Sequence, residues 1–110
     1  MRPIEKYVQA MENKDFAELA DLFTKDGMLC DYCTTSSSQH EYHIYGREAI
    51  HMFFRNKFGF HQYSIAEAEV VNEKQAEFIA NFGGYHIMAI ATVREVDEDG
   101  LIQNLTVRPK

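Results

Sequence analysis

Apolar residues recur every three or four positions along most of the first half of the chain and every two along the second, and this change of period predicts helices first and strands later. In residues 3–13, Ile4, Tyr7, Val8 and Met11 form one helical stripe, and Pro3 suits the first helical position. Asp15-Phe16-Ala17-Glu18 has the form of a capping box that opens a second helix, whose apolar stripe is Phe16, Leu19, Leu22 and Phe23. Lys25-Asp26-Gly27 reads as a turn, with Gly27 free to take positive φ. Residues 28–33 read as a short buried strand, 34–39 as a polar loop and 41–45 as an extended segment ended by Gly46. Arg47 to Phe58 then predicts a third helix, with Ala49, Ile50, Phe53, Phe54 and Phe58 at helical spacing.

Beyond Gly59 the spacing predicts four strands over 61–72, 75–83, 84–97 and 100–108. Ala76, Phe78, Ala80 and Phe82 recur at every second position, as do Ile87, Ala89, Ala91 and Val93. Asn72-Glu73-Lys74, Gly83-Gly84 and Asp97-Glu98-Asp99-Gly100 are short enough to be hairpin connections, so adjacent strands pair antiparallel. Met88 and Ile90 make the second face of one strand apolar as well, which implies a sheet covered by helices on one side and by a second copy of the chain on the other. The fold class is α+β: three N-terminal helices packed in a curved, mostly antiparallel sheet that forms a half-open cone, with residues 1–110 as a single domain.

Composition narrows the function. Hydrophobic residues at 45% and charged residues at 25% suit a globular chain with its own core, and Phe 8 with Tyr 6 supply enough rings for a core or an apolar pocket. A net charge of −6 and the absence of any basic cluster exclude a phosphate-rich partner, so no nucleic acid is expected. No apolar run approaches the ~20 residues that span a bilayer, and no secretory signal opens the chain, so the expectation is a cytoplasmic protein with no membrane contact.

The string Asp15-Phe16-Ala17-Glu18-Leu19-Ala20-Asp21-Leu22-Phe23 followed by Asp26, then Tyr45-Gly46-Arg47-Glu48-Ala49-Ile50-His51-Met52-Phe53-Phe54, and finally Asp99-Gly100-Leu101-Ile102, resembles the nuclear transport factor 2-like superfamily over nearly the whole chain. That superfamily includes ketosteroid isomerases, scytalone dehydratase and SnoaL-type polyketide cyclases, and it carries enzymes and binding modules on one frame. The resemblance to ketosteroid isomerase implies Asp31, five residues after Asp26, as general base, and Tyr7, eight before Asp15, as donor to a developing oxyanion. It brings Thr92 to the position of that enzyme's oxyanion-hole carboxylic acid and Tyr32 to that of the proline after its base. His61 falls near the catalytic histidine of the related dehydratases.

These types fit the chemistry. A carboxylate against apolar walls loses hydration and becomes a competent base toward a carbon acid, while a hydroxyl opposite it stabilises the enolate oxygen. The candidate catalytic set is therefore Asp31, Tyr7, Thr92 and His61, and the candidate ligand-binding set is Phe53, Phe54, Phe78, His86 and Met88. The expected partner is a small hydrophobic molecule, handled without cofactor, in a homodimer joined through the sheet face. Isomerisation, dehydration or cyclisation would follow from proton abstraction next to a carbonyl; the alternative is a noncatalytic ligand-binding or dimerisation module. Cys30, Cys33, His40 and His43 spell C-x2-C-x6-H-x2-H, but an extended strand sends Cys30 and Cys33 to opposite faces, so no metal is expected.

Overall fold

The computed structural model describes residues 1–33, 41–60 and 62–110. Its elements run α1 (Pro3–Glu12), α2 (Phe16–Asp21), β1 (Phe23–Asp31), β2 (Tyr42–Tyr45), α3 (Arg47–Gly59), β3 (Ser64–Val70), β4 (Gln75–Phe82), β5 (Tyr85–Val96) and β6 (Ile102–Pro109). Two helices precede the first strand and the third follows β2, so the helices are not grouped at the N-terminus. The strands form one six-stranded sheet in the order β2-β1-β6-β5-β4-β3. All neighbours are antiparallel except β1 and β6, which run parallel. The helices pack in the concave side of this cone.

Local chemistry starts each helix. At α1 the Arg2 backbone N–H donates to Glu5 Oε1 at 2.9 Å, and Ile4, Tyr7, Ala10 and Met11 make the buried face. At α2 Asp15 Oδ1 accepts from the Glu18 N–H at 3.0 Å, as the capping box predicts. That helix stops at Asp21 rather than continuing to Phe23. The Ile102 N–H donates to the Leu22 carbonyl at 2.8 Å, which draws the chain into the sheet and pairs Phe23 with Ile102.

Lys25-Asp26-Gly27 is not a turn but the bulged start of β1, where the register with β6 shifts between Phe23 and Met28. Gly27 is needed for close approach: a Cβ there would sit 2.9 Å from the Ile102 carbonyl oxygen and 3.1 Å from Phe23 Cβ. Its own carbonyl accepts from the Gly46 N–H at 2.7 Å, and Arg47 Nη2 donates to the Phe23 carbonyl at 2.7 Å. The bulge thereby holds the start of α3 against β1, and α3 carries Phe53, Asn56 and Lys57 of the site described below.

On the concave face Leu29, Leu105, Val107, Ala89, Ala91, Val93, Ala76, Phe78 and Ala80 are buried beneath the helices. The alanines of β4 and β5 are small, and the rings opposite them come from α3. At the wide end of the cone this combination leaves space unfilled.

Candidate functional site

That space is a cavity of about 220 Å³, walled by Phe53, Phe78, Phe82, Ile87, Ala89 and Val107, with Tyr42, Asn56 and Cys33 also on its lining. Its polar pole is a pair of charges. Asp31, at the end of β1, follows Leu29 on the inward-facing side of the strand, and its side chain is only 6% exposed. Lys57 Nζ donates to Asp31 Oδ2 at 3.0 Å and is itself 15% exposed. The Cys33 backbone N–H donates to Asp31 Oδ1 at 2.9 Å, so both carboxylate oxygens are engaged and each keeps a further lone pair.

The Lys57 ammonium lies 4.4 Å from the Tyr63 ring centroid and 5.0 Å from that of Phe53. The rings attract the cation while water is excluded from it. Burial, above all, raises the Tyr63 hydroxyl well beyond the ordinary phenol range, with further contributions from Tyr7, Asp31 and Cys33. The Cys33 thiol is pushed up to about 12 by burial and then by the Asp31 charge, so it stays a thiol at neutral pH. Tyr7 is likewise raised, by burial first and Asp31 second.

Asp31, Phe53 and Phe78 all stand on the cavity wall. Tyr7 does not. It is sealed in the core behind Asp31, its ring centroid 6.4 Å from that of Phe54, and borders only a minor gap with Val8, Met11 and Phe78. Phe54 is also core, stacking on Phe58 at 5.8 Å and meeting Phe53 edge-on at 5.2 Å. Thr92, His86 and Met88 lie on the outer face of the sheet. Ile87, Ala89, Ala91 and Val93 take the inner face of β5, and the even-numbered residues therefore point away from the cavity. Thr92 Oγ1 accepts from Gln75 Nε2 at 3.1 Å on that side, and Met88 is 52% exposed. An offset counted back from Gly100 crosses two register shifts, at Val93/Glu95 and Glu95/Val96, and each can change which face a position occupies. His61 lies outside the described residues.

Cys30 and Cys33 part across β1. Cys33 lines the cavity, while Cys30 Sγ meets His43 Nδ1 at 3.4 Å on the outer side, where His43 Nε2 faces Glu41 Oε2 at 3.2 Å. His40 lies outside the described residues, and among those described no three His, Cys, Asp or Glu side chains are grouped to hold a metal ion.

Sequence reasoning missed Lys57 and Tyr63. For Lys57 a signal existed: it is four residues after Phe53 and three after Phe54, on the same helical stripe as the rings, so a lysine there reaches along the apolar face rather than into water.

An α+β cone with this cavity defines the class as the nuclear transport factor 2-like fold. Among solved structures the chain is similar to Rv0760c from Mycobacterium tuberculosis in complex with estradiol-17beta-hemisuccinate, at a TM-score of 0.69 and 17% identity, covering 98% of this chain and 91% of that one. A computationally designed 17-OHP binder matches at a TM-score of 0.67 and 18% identity, covering 98% and 88%. A candidate ketosteroid isomerase from Kribbella flavida matches at 0.64 and 19%, covering 96% and 73%. No protein-family model and no curated protein sequence matches the chain. Among the described residues no helix is long and apolar enough to cross a membrane.

Proposed function

We propose that this protein binds a small hydrophobic molecule in the cavity of the cone, with the polar group of that molecule set against Asp31 and Lys57. The observation that carries this reading is the placement of a largely buried ion pair at the end of an aromatic-walled space. Ligand sites combine mostly apolar walls with a few convergent polar groups, and buried charges are rarely retained without a partner or a task. Two fold neighbours, one holding estradiol-17beta-hemisuccinate and one designed to bind 17-OHP, support the same use of the frame.

A second reading rests on the position of Asp31 alone. The carboxylate at the cavity wall is the cofactor-free base for proton abstraction next to a carbonyl, leading to isomerisation, dehydration or cyclisation. Tyr7, the oxyanion donor expected from the sequence, is sealed in the core away from this cavity, and Lys57 and Tyr63 on its lining take that role in this reading.

Both readings meet one experiment. Titration with 1-tetralone, a neutral bicyclic ketone, is expected to show saturable one-site binding by calorimetry. On the enzymic reading its α-protons exchange with deuterated solvent faster than in buffer, and Asp31→Asn abolishes the acceleration. Binding without exchange retains the first reading and removes the second; no binding removes both. The partner surface is the outer sheet face around Ile79, Met88 and Ile90, through which a second copy of the chain docks; a monomer in sedimentation at high concentration would refute it.

A further inference from the structure

Among the described residues Asp31 and Lys57 are the only formally charged side chains on the cavity lining, and at 3.0 Å their charges cancel. The other described residues of the wall are aromatic, aliphatic or neutral polar. A ligand that brings its own charge therefore finds no uncompensated partner. A carboxylate aimed at Lys57 lies against the Asp31 anion, and an ammonium aimed at Asp31 lies against Lys57. Juxtaposing like charges in a space with little water is strongly unfavourable. A neutral oxygen meets no such repulsion. Lys57 has three N–H donors, of which one reaches Asp31, so a second can be given to a carbonyl or hydroxyl oxygen. Each Asp31 oxygen has accepted one hydrogen bond and can take another from a hydroxyl.

Size adds a second constraint. At about 220 Å³ the cavity is smaller than the ~300–1,000 Å³ usual for drug-sized ligands, which suits a scaffold of one or two rings.

We propose that the balanced Asp31–Lys57 pair makes the cavity selective for compact, uncharged apolar molecules bearing a carbonyl or hydroxyl, and that either charge alone would redirect it to ions of the opposite sign. This rests on the reading of the cavity as a ligand site and specifies what that site accepts.

The test compares three probes with bicyclic aromatic bodies, 1-tetralone, 1-naphthoate and 1-naphthylmethylamine, by calorimetry near pH 7, where the latter two are ionised, in ~0.15 M salt to screen the net charge of the surface. Wild-type protein is expected to bind tetralone at least about tenfold more tightly than either ion. Asp31→Asn is expected to gain about tenfold for naphthoate, and Lys57→Met about tenfold for the amine. Asp99→Asn, on the exposed β5–β6 hairpin, removes one surface charge and is expected to move none of the three affinities. Equal wild-type affinity for tetralone and either ion overturns the proposal without recourse to any variant, and so does a folded Asp31→Asn protein whose naphthoate affinity is unchanged. If none of the probes binds, the ligand-site reading fails with it; tetralone binding with no charge selectivity sinks only this proposal.

Discussion

Lys57→Met is expected to destabilise the fold by about 3 kcal/mol, read as a lower denaturation midpoint at unchanged m-value. Methionine keeps most of the stem that packs beside Phe53 and Tyr63, so the change isolates the charge. What remains is a carboxylate only 6% exposed, with the Cys33 N–H as its one partner among the described residues. Breaking a buried pair from one side costs ~3–5 kcal/mol because the surviving charge is left unpaired, and the opening of the cavity places this case at the lower end. Asp31→Asn combined with Lys57→Met removes both charges and is expected to recover about 2 kcal/mol of the loss, a coupling that only interacting groups produce. A single variant within about 0.5 kcal/mol of wild type would mean that Asp31 is solvated and that the pair is not a feature of the interior.

Phe54→Ala is expected to cost about 4 kcal/mol in stability. The ring is buried and contacts Tyr7, Phe53 and Phe58, and α3 cannot collapse into the gap while Arg47 ties its start to β1. The same variant separates two roles. As a cavity wall Phe54 would mainly set affinity; as core it sets the melting point and leaves the affinity of the folded protein within a few fold. A chemical melt beside a tetralone titration distinguishes them, and a stable variant with abolished binding would return Phe54 to the wall.

The elements were legible wherever period and capping agreed. Pro3, the Asp15–Glu18 box and the alternation in β4 and β5 place their elements within a few residues of where they stand. Boundaries failed where a tertiary contact decided the outcome. Nothing local in Leu22-Phe23 announces that Ile102, eighty positions away, will pull that stretch out of a helix. Gly27 read as turn chemistry because close backbone approach to a distant strand leaves no local mark. The site was legible in the same proportion. Asp31 stood out by its offset to Asp26, but the face of β1 it occupies could not be read locally, since apolar residues flank it on both sides; in the fold it lies inward and pairs with Lys57. Thr92 could not be assigned by counting, because strand irregularities near Val93 and Val96 alter parity. Lys57 was passed over because lysine on a helix usually faces water, whereas here the stripe it shares with Phe53 and Phe54 carries it to the carboxylate.

The claim on which the rest depends is that Lys57 and Asp31 meet at the end of a cavity that a neutral ligand enters. The side-chain ammonium resonance of Lys57, followed by nitrogen-15 NMR through a tetralone titration, reaches that point directly. A protected ammonium signal coupled to the Asp31 carboxylate, absent in Lys57→Met and shifting to saturation with ligand, is the predicted result. A Lys57 signal in fast exchange with water, or one unmoved while residues of the outer sheet face such as Met88 and Thr92 respond, would contradict it.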